Sequence, residues 1–377
     1  MSLLRLNIFR SIDWVLFVAV LPLLVVGLLA MSSFTESNYF FDRQLLWITL
    51  SLVVFFVLSL VDWSFLRRSW IIASIYVFGL FVLFLLPMFG LTTRGVQSWF
   101  TFGGVSLQPV DFMKIVLVLI LAKYFSRRHI EIANIRHIFI SGLYAFIPFL
   151  AVLFQPDFGS AIIIFLIWLG MALVSGISKK HLALVFGVSV FAFLIAWMFV
   201  FAPYQKDRIV TFIHPLADIQ GTGYNALQST IAVGSGEVFG KGVGYGTQSR
   251  LKFLPEFQTD FIFAAFAEEW GFIGVLILFF IFGIIIWRIL KNASLGETNF
   301  EILFGLGLAI TFMSHFVIHV GMNIGLLPVT GLTLPFVSYG GSHLMASFIG
   351  LGILMGMRKH ALSFHKDDMD KEFLGGL

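Results

Sequence analysis

Residues 253–274 read FLPEFQTDFIFAAFAEEWGFIG, and the reading of this stretch decides the fold. Four carboxylates, Glu256, Asp260, Glu268 and Glu269, stand in a segment that runs directly into an apolar helix. Moving a charge into hydrocarbon costs at least about 2.5–3.5 kcal/mol even on lenient insertion scales, so acids at the mouth of a membrane helix need a reason. A helix starting near Thr259 puts Asp260, Ala264, Ala267, Glu268 and Gly271 on one small, acidic face, with Phe261, Ile262, Phe263 and Phe266 supplying bulk elsewhere. Small residues let another helix or a substrate approach closely, and a carboxylate beside such a gap is a candidate general base. Two plainer readings stand next to this one. Thr259 or Asp260 caps the helix, and Glu268 and Glu269 are ion-pair partners of lysines or arginines.

Outward from this stretch the chain is apolar. With 59% hydrophobic and 12% charged residues and a mean hydropathy of +0.97, a soluble domain is excluded. Repeated apolar runs of 17 residues or more define an all-α polytopic membrane protein, and the weaker alternation of a membrane barrel is absent. The chain has no cysteine, which removes disulfides, thiolate chemistry and Cys-ligated metals. The first apolar run follows Arg5 and Arg10 and leads into Met31-Ser32-Ser33-Phe34 rather than a cleavage signature, so it reads as an uncleaved helix.

About ten transmembrane helices are expected, over residues 14–31, 45–61, 70–89, 110–125, 138–154, 160–175, 182–201, 261–287, 302–320 and 343–357. They form a single membrane domain over 1–377, with a long extracytoplasmic loop (202–260) before helix 8 and a cytoplasmic tail (358–377). The side carrying the termini has 16 Lys or Arg, whereas the short loops opposite have only Arg43 and Arg94, so both termini are expected to be cytoplasmic.

The long loop holds six glycines between Gly234 and Gly246, and Arg208, Lys241, Arg250 and Lys252 beside the acids. Gly240-Lys241-Gly242 fails as a phosphate loop, because Ser235 replaces the first Walker glycine and no Ser or Thr follows Lys241. A solvated surface loop is the plain alternative. RGVQSWFTFGGVSLQPVDFMK (94–114) places Asp111 and Lys114 at a helix mouth, where Asp111 is a site residue or a cap. Gln155-Pro156-Asp157-Phe158-Gly159 offers Asp157 as a site, turn or cap residue. GMNIGLLPVTGLTLPFVSYGG (321–341) is too apolar for a solvated loop and too broken for a helix, which fits backbone buried in protein or lining a cavity. His315 and His319 stand four apart, but no glutamate completes a metal motif, so packing is the better reading and no metal site is assigned.

Four runs carry a family resemblance. QPVDFMK (108–114), QPDFGSA (155–161), GYNALQSTIAVGSGEVFGKGVGYGTQ through FLPEFQTDFIFAAFAEEWGFIG, and GMNIGLLPVTGLTLPFVSYGGS (321–342) resemble, in order, the signatures of the SEDS family (shape, elongation, division and sporulation), RodA-like in type. The resemblance implies ten membrane helices in the bacterial cytoplasmic membrane and a peptidoglycan glycosyltransferase that polymerises lipid II on the outer face. It makes Asp260, in the TDF triplet, the catalytic acid, and puts Gln228 and Ser342 among the substrate-binding candidates. A class B penicillin-binding protein and the elongation machinery are the implied partners; no nucleic acid is expected. The pattern is broken at Ser98, where an arginine is usual and for which Arg94 is a stand-in. Asp111 replaces Glu, Phe257-Gln258 replaces Gln-His, and His343 follows GGS where serine is usual.

Such a transfer inverts the anomeric carbon, so one carboxylate base suffices. The leaving diphosphate needs cations, and Arg208, Lys241 and Lys114 are the candidates. No cofactor is demanded, although a divalent cation with the diphosphate is compatible. Asp157, Asp111 and Glu268 are orienters or ion-pair partners in this reading. A lipid II flippase, a division-type (FtsW) paralogue of the same activity, and a scaffold for the transpeptidase are the alternatives. Trp270 and Trp287 stand about 26 Å apart on a straight helix; as interfacial belts they would put Asp260 level with headgroups and sugars.

Overall fold

The structure is a computed structural model that describes residues 12–32, 39–93, 96–102, 105–127, 134–199, 201–214, 222–251 and 253–374. Arg5, Arg10, Arg94 and Lys252 therefore lie outside the described residues, and for the tail beyond residue 358 only the backbone is described.

Each of the ten apolar runs forms a helix: α1 (Trp14–Ser32), α2 (Tyr39–Leu60), α3 (Ser69–Phe89), α4 (Pro109–Ser126), α5 (Ile135–Phe154), α6 (Phe158–Val174) and α7 (Lys179–Phe199) before the long loop. That loop carries three short helices, α8 (Pro203–Ile213), α9 (Thr222–Ser235) and α10 (Thr247–Arg250), and the chain ends with α11 (Ile262–Ser294), α12 (Asn299–Asn323) and α13 (Gly341–Leu374). Seven of these, α1, α2, α3, α5, α7, α11 and α12, are long and apolar enough to cross a membrane. One expectation needs correction. The chain is mostly but not wholly helical, because β1 (Leu91–Thr93), β2 (Val96–Phe102) and β3 (Val105–Leu107) form an antiparallel meander. Phe100 pairs with Leu107 and Thr101 with Ser106.

Helices α4, α6 and α12 form the centre. On α4 almost every side chain from Val110 to Ala122 is buried, including Asp111 and Lys114. Close approach depends on missing side chains: a Cβ at Gly307 of α12 would lie 2.6 Å from Val118 of α4, and one at Gly352 of α13 would lie 3.2 Å from the Phe55 carbonyl of α2. In contrast, α7 buries none of its residues in the chain and is apolar from Leu182 onward. A helix apolar all round and unpacked by protein is in contact with lipid or a partner.

Polar contacts sort the loops onto two ends of the bundle. At one end the Asp13 carboxylate accepts from Arg288 (2.6 Å) and Asn292 (2.6 Å) and caps α1 through the Leu16 N–H (3.2 Å). Burial pushes this carboxyl up, but the Asn292 and Arg288 hydrogen bonds outweigh it and hold it below its ordinary pKa. Arg67 bridges Glu297 (2.5 Å) and Glu301 (2.9 Å), and Lys123 donates to the Arg67 carbonyl. The opposite end gathers residues 105–109, 155–160, 258–264 and 323–342, linked by hydrogen bonds among Gln108, Asp157, Ser342, Thr259, Ser338 and Asn323.

Candidate active site

Helix α11 begins at Ile262, three residues later than a start at Thr259, and Phe261 at its cap makes no side-chain capping bond. Neither Thr259 nor Asp260 is therefore the helix cap. Residues 255–261 form a turn in which the Glu256 carbonyl accepts from the N–H groups of Thr259 (3.1 Å), Asp260 (3.1 Å) and Phe261 (3.2 Å), with Glu256 itself at φ 51°. Asp260 is half-buried on this turn, and its neighbours in the chain Phe257, Phe261 and Phe263 are buried. Its carboxylate faces the backbone of Gly331, whose Cβ position lies 3.5 Å from Asp260 Oδ2. Gly331 has φ 74°, a conformation open to glycine at little cost.

The segment between α12 and α13 is irregular; residues 324–326 and Gly331 are exposed, and Leu332 to Ser338 are mostly buried, as a broken stretch at depth requires. Ser338 closes it: its hydroxyl accepts from Leu334 N–H (2.8 Å) and donates to the Thr259 carbonyl (2.8 Å), while Tyr339 N–H donates to the Gln258 carbonyl (2.8 Å). Phe336 sits at φ 66° despite its bulk, locked between Phe312 (5.3 Å) and Phe348 (5.7 Å). Strain of this kind persists where the surroundings over-determine it.

The other predicted site residues fall into three groups. Arg208, on α8, is exposed and reaches the Val329 carbonyl (3.5 Å), two residues from the Gly331 turn. Asp157 is an N-cap after all, accepting from Ser160 N–H (2.9 Å). Its second oxygen accepts from the Gln108 side chain (3.0 Å), and the Gln108 N–H donates to the Ser342 hydroxyl (2.8 Å). The runs at 108–114, 155–161 and 321–342 thus meet through one chain of hydrogen bonds. Asp111 is not a cap; it forms a buried pair with Lys114 (3.0 Å). Gln228, on α9, keeps a buried side-chain oxygen with no partner in the structure.

Lys241 and Glu268 form the third group. All three ammonium protons of Lys241 are engaged, by Ser235 (2.9 Å), Thr247 (2.9 Å) and Glu268 (2.8 Å). Glu268, fully buried, also accepts from the Gln248 N–H (3.0 Å), and Glu269 accepts from the Gly244 N–H (2.6 Å). The ion-pair reading holds for Glu268, which pairs with Lys241, whereas Glu269 is held by a backbone N–H; both pin the glycine-rich loop. The helix itself breaks there, with Gly271 at φ 65°, ψ −168°. The straight-helix ruler from Trp287 therefore ends at Gly271 and does not fix the height of Asp260.

Sequence reasoning took His315 and His319 for packing residues, and both are buried, but it did not connect them to the site. His315 Nε2 lies 3.4 Å from Lys114 Nζ, its ring is 4.5 Å from that of His343, and His343 Nδ1 is 3.6 Å from Asp111. The signal was the pair of imidazoles and an asparagine on an otherwise apolar helix. Among the described residues no three His, Asp or Glu converge as metal ligands.

Long apolar helices around a buried ion pair, with a half-buried carboxylate where a helix begins beside a broken segment, define a multi-pass membrane protein with a cluster of polar groups at one end. The FtsW/RodA/SpoVE family model, described as a cell cycle protein, matches residues 6–362. The chain belongs to that family. It is 35% identical over 365 residues to the probable peptidoglycan glycosyltransferase FtsW of Haemophilus influenzae, covering 92% of this chain and 89% of that protein. It is 36% identical to stage V sporulation protein E of Bacillus subtilis (93% and 98%) and 34% identical to the peptidoglycan glycosyltransferase MrdB of Escherichia coli (93% and 94%). Among solved structures it resembles a chain of a peptidoglycan synthase complex that coordinates polymerisation and crosslinking, at TM-score 0.79 and 27% identity (93% and 98%). It also resembles the rod shape determining protein RodA of Thermus thermophilus, at TM-score 0.69 and 27% identity (93% and 97%).

Proposed function

We propose that Asp260 is the general base with which this peptidoglycan glycosyltransferase polymerises lipid II. The observation that carries the assignment is the placement of one half-buried carboxylate on a tight turn, facing the Gly331 backbone, at the end of the bundle where the family-like runs meet. The acceptor hydroxyl gives its proton to Asp260 as its oxygen attacks the anomeric carbon, and the lipid diphosphate leaves from the opposite face. Such a displacement asks for one base and for cations at the leaving group. Arg208 is exposed at the rim and free to turn toward a diphosphate. Lys241 would have to exchange Ser235 or Thr247 for a phosphate oxygen. Lys114, 2% exposed, orients the interior. A divalent cation would be held chiefly by the diphosphate's own oxygens. Polymer formation by the purified protein, with Asp260 intact and with Asp260→Asn, tests the reading.

The charge asymmetry supports ten spans with both termini in the cytoplasm and the Asp260 end outside, in the bacterial cytoplasmic membrane. Tyr245→Cys, at a residue 67% exposed, should be labelled by an impermeant thiol reagent on intact cells, and Ser294→Cys only after permeabilisation. Labelling of position 245 from the cytoplasmic side alone would overturn the topology. A class B penicillin-binding protein is the partner that the likeness to a polymerising and crosslinking complex supports. We assign the activity to cell elongation and shape, with a division-type role the alternative.

Arg208→Glu should lower kcat/KM at least about tenfold, since a charge-assisted hydrogen bond to phosphate contributes about 1.5–3 kcal/mol. Its melting temperature should barely move, because the Val329 contact is at the limit of hydrogen-bond length. Unchanged turnover would remove Arg208 from diphosphate binding. The buried Asp111–Lys114 pair is a feature that favours a flippase, as intramembrane ion pairs mark transport paths.

A further inference from the structure

His315, His319 and Asn323 lie four residues apart along α12 and so share one face of the helix. All three are essentially buried, at 1%, 0% and 0% exposure. Buried polar side chains require partners, and here the partners belong to different parts of the site. Lys114 can only donate, so it donates to His315 Nε2 (3.4 Å), and His315 Nδ1–H in turn faces the Thr333 carbonyl (3.3 Å). A carbonyl only accepts, so His319 Nδ1–H donates to Leu332 O at 2.7 Å. Asn323 uses both ends of its amide. Its Nδ2 donates to the Asp260 carbonyl (3.0 Å) and to the His319 carbonyl (2.8 Å). Its Oδ1 accepts from the Ala264 N–H (3.2 Å), one of the first-turn donors of α11 that no residue of that helix can satisfy, and from the Ser229 hydroxyl (3.3 Å).

One helical stripe therefore holds two separate stretches of backbone. His319 and His315 grip residues 332 and 333; Asn323 grips residues 260 and 264. Between the gripped stretches lies the contact of the Asp260 carboxylate with the Gly331 turn. We propose that His319 and Asn323 are positioning residues that fix the Asp260 carboxylate against the Gly331 turn by holding the main chain on both sides of it. The inference rests on Asp260 as the base. It also gives the two histidines a role other than metal binding: the δ nitrogen of His319 is spent on Leu332, and its ε nitrogen is buried without a partner.

The donor can be removed or kept at nearly constant shape. His319→Phe keeps the ring and loses the Nδ1–H, whereas His319→Asn puts an amide N–H close to where Nδ1 stands. A displacement of about 1 Å at reacting groups costs on the order of a hundredfold in rate. The Phe variant should lose about tenfold to a hundredfold in kcat, with KM for the lipid-linked substrate within about twofold, and the Asn variant should recover most of the loss. Amide hydrogen exchange, followed by mass spectrometry on the full chain, should quicken in peptides covering 330–336 of the Phe variant and not in those covering α4 or α6. That readout does not depend on Asp260 chemistry, so the clamp is tested even if Asp260→Asn proves active and the base assignment fails. Wild-type kcat in the Phe variant, equal loss in the Phe and Asn variants, or unchanged exchange at 330–336 would overturn the proposal. Where the Phe variant does not fold, Gly331→Ala strains the same turn from the other side, because φ 74° is costly for a residue with a Cβ. Loss of kcat at constant KM there supports the clamp, and wild-type kcat overturns it.

Discussion

Gly271→Ala should be among the most damaging single-methyl changes in the chain, destabilising it by about 3 kcal/mol or more and removing most of its polymerising activity. Gly271 has φ 65° and ψ −168°, a region that side chains with a Cβ enter at a cost of roughly 1–3 kcal/mol. A Cβ there would also collide with the Gly240 backbone nitrogen and lie 2.7 Å from the Val238 carbonyl oxygen. The glycine-rich loop threads this break and replaces the helix's own hydrogen bonds. Lys241 and Gly242 N–H donate to the Glu268 and Glu269 carbonyls (3.0 Å each), and Phe272 and Ile273 N–H donate to the Glu237 and Val238 carbonyls (2.9 and 3.1 Å). Each such bond contributes roughly 1 kcal/mol net, and a buried group left unpaired costs about 1–3 kcal/mol. If the loop is expelled, fully buried Glu268 also loses Lys241, Thr247 and Gln248 together. Thermal unfolding in detergent at a fixed scan rate checks this; an unchanged midpoint would show that the loop does not brace the helix.

Asp260→Asn should leave the fold intact and abolish polymer. The backbone contacts that place residue 260, its N–H to Glu256 and its carbonyl to Asn323, are indifferent to the exchange of a carboxylate oxygen for an amide nitrogen. The change removes the lone pair that takes the acceptor proton. General-base catalysis contributes about 10²–10⁴-fold, and little else here can take over that role. Asp111 is spent on Lys114, and Glu268 on Lys241, Thr247 and the Gln248 N–H. The variant should elute and melt like the parent and give no glycan. A near-parental rate would assign the base elsewhere.

The helices were legible because an apolar run of 17 or more residues has few fates in a chain with this composition. The site was legible in part. The TDF acid, the QPVDFMK and QPDFGSA runs and the broken 321–342 segment, each singled out in the sequence, stand together at one end of the bundle. Three features were not visible. In the β1–β3 meander two strands have only three residues, and the seven of β2, VQSWFTF, do not alternate strictly between apolar and polar. The break at Gly271 hides in Trp270-Gly271-Phe272, which reads as continuous helix because the bonds that stabilise the break come from residues 237–242, far off in the chain. Lys241 was a diphosphate candidate because it is a cation in the long loop beside the acids. The glycines around it permit close approach to the α11 backbone, and Glu268, already a candidate ion-pair partner, takes the charge.

The most direct measurement is made in detergent micelles, where there is no bilayer to cross and a flippase has nothing to do. Purified chain and its Asp260→Asn variant are each incubated with lipid II, together with the same transpeptidase partner inactivated for crosslinking, and the products are resolved as a glycan ladder. The account predicts a ladder from the parent and unreacted lipid II from the variant. Equal ladders, or none from a folded parent, would contradict it.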